Sequence, residues 1–274
     1  MPEGDTLFRT AAGLRPHLVG RTVSAARTQG PGSVPQVGRI VGATVTSVEA
    51  AGKNLLIRFD NGLELRTHLR MNGSWHRYRP GEPWRRPAAR ARLVIEVPGA
   101  VAVCFDAPVV ELFETRAEAL HPTLARLGPD LLDDDWDADR AAEARRRLRE
   151  PGRARLTISE ALLDQRALAG IGNIWRNETL FHEGVNPWTA VRSIDDATLD
   201  RLVGRARDLL RRSVDTPSGR SPMWVYRRAG RPCRRCGTLV ESAPLSTGNP
   251  RTTYWCPGCQ GAKGVSDGGG RRPV

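Results

Sequence analysis

Four groups of residues in the 274-residue chain have the types and spacing to do chemistry. The first is Cys233-x2-Cys236-x19-Cys256-x2-Cys259. Two Cys-x-x-Cys knuckles suit one tetrahedral zinc ion, and because protein fills all four positions the metal would be a structural staple and not a catalyst. Two disulfides or an iron–sulfur cluster are the alternatives, and disulfides would need an oxidising compartment. Zinc would bring roughly 10–16 kcal/mol of apparent binding free energy to a segment too short to fold alone. The second group is the terminus, "MPEGDT". Removal of Met1 ahead of a small residue would leave Pro2 with a free secondary amine, and α-amino groups have pKa values of roughly 7.7–8.0, so part of it is neutral near pH 7. A secondary amine can attack an aldehyde-like carbon and form an iminium ion, with Glu3 beside it to move protons. Many inert chains also begin Met-Pro. The third is Lys53 in "AGKNLL". The chain has 42 Lys+Arg but only two lysines, Lys53 and Lys263. Lysine can give up a proton and arginine effectively cannot, so a site that must protonate something would keep lysine. The fourth is "LAGIGNIW". Gly170 and Gly172 permit positive φ and close approach at a helix–helix junction, and a helix opening at Asn173 would face its free N–H groups outward as an anion site, with Asn173 capping it or donating to a phosphate. A plain helical corner would use the same glycines.

These residues need elements to hold them. Up to about residue 120 the pattern reads as strands. "LLIRFDNGLELRTHL" is two alternating segments joined at Asn61-Gly62, and "ARLVIEVPGAVAVCF" repeats the arrangement about Pro98-Gly99, so successive hairpins predict a two-sheet sandwich or barrel. Cys104 sits alone in an apolar run, as a small buried hydrophobe does. Residues 5–19 differ: Leu7, Phe8, Ala11, Leu14 and Leu18 fall at helical spacing, with Asp5 as the expected cap. "DDDWDADRAAEARRRLRE" runs from acids into arginines, in keeping with the dipole of a short helix. From residue 157 the pattern is helical, and the cysteine segment follows with "STGN" at the tip of its hairpin. Arg251 comes just after that tip, either as an ordinary exposed arginine or as a guanidinium aimed at a phosphate. The net charge of +12 and pI near 10.7 imply an anionic partner, nucleic acid foremost. No 18-residue apolar run and no signal pattern occur, so the expected location is cytoplasmic, at the nucleoid, with no membrane contact.

Taken together, "MPEGDT", "AGKNLL", "HLRMNGSW", "LLDQRALAGIGNIWRNETLFHEGVNP", "VYRRAGRPCRRCGTL" and "YWCPGCQ" resemble the formamidopyrimidine-DNA glycosylase / endonuclease VIII family of base-excision repair enzymes. The resemblance spans nearly the whole chain. It implies an α+β fold of two domains: an N-terminal β-sandwich with a flanking helix, then a helix–two-turn–helix (H2TH) domain carrying a C-terminal zinc-finger hairpin. The expected divisions are residues 1–125 (catalytic sandwich), 126–156 (interdomain passage), 157–222 (H2TH), 223–260 (zinc finger) and 261–274 (disordered tail), with a basic cleft between the two domains. It implies a bifunctional glycosylase/AP lyase that works on damaged double-stranded DNA as a monomer, with one structural zinc ion. The damaged nucleotide is flipped out of the duplex. Pro2 attacks C1′ of its sugar and displaces the base, and elimination then cuts the strand. Glu3 matches the acid at the sugar and Lys53 the proton-donating lysine. Asn173 and Arg251 match residues that grip the flanking phosphates, with Gly170 and Gly172 in the turn before Asn173.

The branch is read from smaller signs. "PEGDT" and the short "SGRSPMWVYRRAG" point to endonuclease VIII and oxidised pyrimidines. Met71 in "HLRM" matches the intercalating methionine of the oxidised-purine branch, and Asn72-Gly73 after it favours exposure over a place in the core. Its arginine and phenylalanine partners are not evident in "FDAPVVELFE", and Thr6 replaces a glutamate common in relatives. A non-catalytic, zinc-dependent DNA-binding module would share the charge, the cysteines and the glycine turn, but gives no reason for Met-Pro-Glu with a lone lysine on a turn. An RNA-binding zinc ribbon fits less well, because the N-terminal half lacks an aromatic pattern for stacking bases.

Overall fold

The computed structural model describes residues 2–29, 36–216, 222–245 and 251–263. The chain divides into two compact units, Met1–Arg126 and Leu127–Val274. In the first, helix α1 (Gly4–Leu18) precedes eight strands: β1 (Ala25–Thr28), β2 (Val45–Ala51), β3 (Asn54–Phe59), β4 (Leu63–His68), β5 (Ser74–Tyr78), β6 (Ala91–Val97), β7 (Ala100–Phe105) and β8 (Val109–Glu114). They form two four-stranded antiparallel sheets, ordered β1-β6-β7-β5 and β2-β3-β4-β8. Leu55, Ile57 and Leu65 from one sheet meet Leu93, Ile95 and Cys104 from the other in one core, and Leu7, Ala11, Leu14 and Leu18 of α1 join it. This is the expected sandwich with its flanking helix. The α1 stripe follows the 3.6-residue period, and strand residues alternate between core and outer face.

One local expectation fails. Asp5 does not cap α1. Glu3 stands at the N-cap position, and its carbonyl accepts from the N–H groups of Thr6 at 3.0 Å and Leu7 at 3.1 Å. Asp5 lies inside the first turn and pairs with Arg9 at 3.2 Å.

The hairpins follow their turn residues. Pro98-Gly99 is the two-residue turn between β6 and β7, with Gly99 at φ +80°. Asp60, Asn61 and Gly62 make a three-residue loop between β3 and β4, with Gly62 in the left-handed region.

The second unit contains α2 (Ala138–Leu148), α3 (Ile158–Leu163), α4 (Asn173–His182), α5 (Asp196–Asp215), a hairpin of β9 (Glu241–Pro244) and β10 (Thr252–Trp255), and α6 (Pro257–Gln260). Asp137 caps α2, accepting from the Arg140 N–H at 2.8 Å, and Arg149 just beyond the helix reaches Asp196 at the start of α5. Thr157 and Glu160 form a capping box at α3, which fixes where that helix starts. The "STGN" tip and the tail from residue 264 lie outside the described residues. No described helix is long and apolar enough to cross a membrane.

Candidate active site and nucleic-acid interface

In the first unit a cavity of about 530 Å³ is lined by Pro2, Thr6, Met71, Asn72, Gly73, Arg86 and Arg90. Pro2 lies one residue ahead of Glu3, which is 1% exposed at the start of α1. A carboxylate at a helix N-terminus is in a favourable field. Met71, Asn72 and Gly73 of the lining belong to the segment that crosses from β4 in one sheet to β5 in the other. Met71 on this crossing is 63% exposed, as the Asn72-Gly73 turn predicts. A Cβ on Gly73 would lie 2.6 Å from the Leu69 carbonyl oxygen, so only glycine permits the tight return that presents Met71.

Arg86 and Arg90 escape sequence reasoning, because nothing sets them apart in an arginine-rich chain. Both guanidiniums sit 2.8 Å from the Asp106 carboxylate, and Arg86 also donates to the Asn72 carbonyl at 3.2 Å. Arg90, then Arg86, hold the Asp106 carboxyl below its ordinary pKa. Asp106 itself has φ +52°, a conformation rare outside glycine, so its backbone is bent to bring the carboxylate between the two arginines.

Lys53 occupies the tip of the β2–β3 hairpin. Ala51 pairs with Asn54, leaving Gly52-Lys53 as a two-residue turn with Gly52 at φ +58°. Positive φ at the first central position is the type II′ requirement, and it explains the glycine directly before the lysine. The neighbouring His68 accepts the Arg70 N–H on Nδ1 at 3.1 Å, which leaves its proton on Nε2. Burial, then the charges of Arg66, Arg70 and Lys53, bring the His68 pKa down to about 4, so its ring is neutral at cellular pH.

In the second unit the glycine turn and the cysteine hairpin are joined. Gly170 takes φ +94°, as expected of the junction. Gly172 does not: it is the α4 N-cap at φ −126°, an extended conformation open to any residue. Asn173 is therefore the first residue inside the helix and not its cap. Its amide donates to the Thr252 carbonyl at 3.1 Å and accepts from Arg176 at 2.7 Å. Arg176 is fully buried and also reaches Thr253 Oγ1 at 3.2 Å, while the Tyr254 N–H donates to Asn177 at 2.9 Å. This polar seam fixes β10 against α4, and Arg251 immediately precedes β10. Gln165, also missed from sequence, ties the turn together by donating to Leu163 and Ile171 and accepting from Gly170. The Glu178 carboxylate accepts the N–H groups of Trp224, Val225 and Tyr226, anchoring the approach to the cysteines on α4. Burial raises its pKa against those three donors.

The four cysteine sulfurs all lie within 4.8 Å of one another. Sulfur separations include 3.4 Å for Cys236–Cys256, 3.5 Å for Cys236–Cys259 and 4.0 Å for Cys233–Cys259. Thiolates about 2.3 Å from a tetrahedral zinc would stand roughly 3.8 Å apart, so the set fits that ion. Gly258 makes the second knuckle possible: a Cβ there would lie 2.5 Å from Thr238 Oγ1 and 3.1 Å from Cys236 Sγ. Cys104, apart from this set, is fully buried in the sandwich core.

Two family models match the two units. Residues 1–108 match the formamidopyrimidine-DNA glycosylase N-terminal domain, and residues 127–222 the formamidopyrimidine-DNA glycosylase H2TH domain. Along its whole length the chain is 40% identical to probable endonuclease 8 2 of Streptomyces coelicolor, covering 99% of that protein.

The chain belongs to the formamidopyrimidine-DNA glycosylase / endonuclease VIII family.

Other family members include DNA-(apurinic or apyrimidinic site) lyase Nei2 of Mycolicibacterium smegmatis, 39% identical over 96% of this chain and 100% of that one. Endonuclease 8 of Escherichia coli is 32% identical over 95% of this chain and 100% of its own. Among solved structures, the Lactococcus lactis formamidopyrimidine DNA glycosylase bound non-covalently to DNA with an AP site superposes with a TM-score of 0.81 at 21% identity, covering 94% of this chain and 99% of that one. That likeness concerns the fold: the expected sandwich, H2TH helices and four-cysteine hairpin are those of this family.

Proposed function

We propose that the protein is a bifunctional DNA glycosylase/AP lyase of base-excision repair, acting on duplex DNA as a monomer. One observation carries the reading: in a chain of this family, Pro2 opens onto a cavity beside the buried Glu3 and the exposed Met71. With Met1 removed, the Pro2 nitrogen attacks C1′ of the flipped nucleotide. As the N-glycosidic bond breaks, the Lys53 ammonium gives a proton to the nitrogen of the departing base. The Pro2 nitrogen then passes its proton to Lys53, left neutral by the previous step, and its lone pair opens the C1′–O4′ bond while Glu3 protonates O4′, giving an iminium ion. Its electron demand acidifies the C2′ proton, and successive eliminations break the C3′–O and C5′–O bonds. Here the proton donors contribute on the order of 10²–10⁴-fold each.

Met71 would fill the gap in the stack, and Arg86 and Arg90 offer guanidinium edges to acceptors at the cavity wall. Asn173, beside Thr252, and Arg251 would hold phosphates, with α4 directing N–H groups to the same anions. Cys233, Cys236, Cys256 and Cys259 would hold one zinc ion, whose contribution is to fold the hairpin that carries Arg251.

Oxidised pyrimidines are the favoured lesions, supported by the endonuclease 8 names of relatives at 32–41% identity. Oxidised purines are the second reading, favoured by the exposure of Met71. The test is strand cleavage by the untagged protein on duplexes carrying thymine glycol, 8-oxoguanine or an abasic site. Faster cleavage at thymine glycol supports the pyrimidine reading, faster cleavage at 8-oxoguanine reverses it, and no cleavage of any of the three overturns the enzyme.

A further inference from the structure

A run of polar side chains lies on the outer face of the sheet that carries Lys53. Asn54, only 2% exposed, follows Lys53 directly and donates from Nδ2 to the Ala51 carbonyl at 2.8 Å, bracing the two-residue turn from inside. Its Oδ1 accepts from Nε of Arg66 at 2.9 Å. Arg66, 5% exposed, is paired across the β4–β8 ladder with Glu111 and bonds its carboxylate. Glu111 in turn meets His121 Nε2 at 3.1 Å. The other ring nitrogen of His121 accepts the N–H groups of Thr123 and Leu124, both at 3.2 Å, so Nε2 carries the proton toward Glu111. Burial works against the Glu111 carboxylate, but Arg66 and His121 outweigh it and keep its pKa below the ordinary value.

Each link is directional. Asn54 uses one end of its amide on the turn and the other on Arg66. The Arg66 fork spends Nε on Asn54 and a terminal nitrogen on Glu111. Burying a guanidinium is costly, and apolar replacements of buried ion pairs are often as stable or more so. Stability alone therefore does not call for the Arg66–Glu111 charge pair at this buried position. What the buried fork supplies is a fixed orientation for the Asn54 amide, and through it for the turn.

We infer that Asn54 and Arg66, backed by Glu111 and His121, are positioning residues that set the direction of Lys53, resting on the role proposed for that lysine. None of the four need touch DNA. Their effect is on the placement of a proton donor, where a shift of about 1 Å can cost on the order of a hundredfold in rate.

The experiment is a double-mutant cycle read in single-turnover excision and borohydride trapping on a thymine-glycol or 8-oxoguanine duplex, whichever the wild type prefers. Asn54→Ala and Arg66→Met should each slow base excision about tenfold to a hundredfold, with Kd for a tetrahydrofuran-containing duplex unchanged. Arg66→Lys should recover little, because a point charge lacks the fork. In a Lys53→Gln background, Asn54→Ala should add almost nothing, since a positioning residue has nothing left to position. A protein weakened only in its fold would instead lose rate by the same factor in both backgrounds. The combined Arg66→Met, Glu111→Leu variant removes the charge pair together, and should melt near the wild type yet still excise slowly. Wild-type excision by Asn54→Ala and Arg66→Met, or multiplicative losses in the cycle, would overturn the inference while leaving the glycosylase reading intact. Absence of any wild-type adduct would overturn both.

Discussion

At the residue scale the proposed mechanism depends on which side chains can exchange a proton. Lys53 sits in a turn whose geometry demands glycine before it but makes no demand for lysine. Lys53→Arg keeps the positive charge and loses the transferable proton, so excision should fall by about 10²–10⁴-fold while DNA affinity stays near the wild type. Single-turnover rates and equilibrium binding on the same duplex check this, and an arginine variant of wild-type rate would remove Lys53 from the mechanism. His68 gives a pH signature. Its folded pKa of about 4 lies below the usual 6.5. The unfolded chain therefore binds more protons between those values, and stability contributed by the neutral ring is present above pH 6.5 and lost as pH falls toward 4. Glu64 acts in the opposite sense: burial holds its carboxyl up to about 7, so its contribution declines as pH rises from 4.5 to 7. The comparison of wild type with His68→Gln isolates the imidazole. The stability difference between them should change by on the order of 1–3 kcal/mol from pH 7 to pH 4 in denaturant unfolding, the wild type losing more. Parallel curves would contradict the half-buried neutral ring.

At the scale of elements, the informative features are turns. Gly52, Gly73, Gly170 and Gly258 each meet a backbone or packing demand that no other residue meets as well, and each lies within three residues of one to which a role is proposed: Lys53, Met71, Asn173 and the cysteine pair. The cysteine hairpin is stapled at one end by four sulfurs and at the other by the Asn173–Thr252 and Arg176–Thr253 bonds. Removing a metal ligand should release the strand that follows Arg251. If the four cysteines hold zinc as proposed, Cys256→Ser should abolish zinc binding and weaken DNA binding at least about tenfold, because the hairpin has little core of its own. Metal analysis and fluorescence anisotropy test this together, and zinc content and affinity equal to wild type would refute a structural metal site.

For the whole molecule, much was legible because the signals are local and period-bound. The α1 stripe, the hairpins about Pro98-Gly99 and Asn61-Gly62, and the cysteine spacing all follow from rules that operate over a few residues, whereas the H2TH arrangement is implied by the family resemblance and not by those rules. What escaped depends on distant partners. Asp106 gathering Arg86 and Arg90, Arg66 reaching Asn54 and Glu111, and Gln165 closing its turn join residues whose types are unremarkable singly. The Asp5 cap and the Gly172 conformation differ because α1 and α4 begin earlier than their sequence signals place them, with Glu3 and Gly172 at the N-cap positions. The net charge of +12 sets the long-range field. Against it, Arg251→Ala should weaken binding about equally on all sequences and reduce the slope of log K against log salt by about one, as loss of a single phosphate contact does. An unchanged slope would remove Arg251 from the interface.

The central claim is that Pro2 forms the covalent bond. Its most direct test is borohydride reduction of the untagged, zinc-loaded protein on a duplex with one abasic site, followed by proteolysis and mass mapping of the adduct. A stable adduct is expected whose sugar remnant is carried on the N-terminal peptide at Pro2, absent from Pro2→Gly and from protein that retains Met1. An adduct mapped to Lys53 or another amine, or no adduct with active DNA-binding protein, would contradict it.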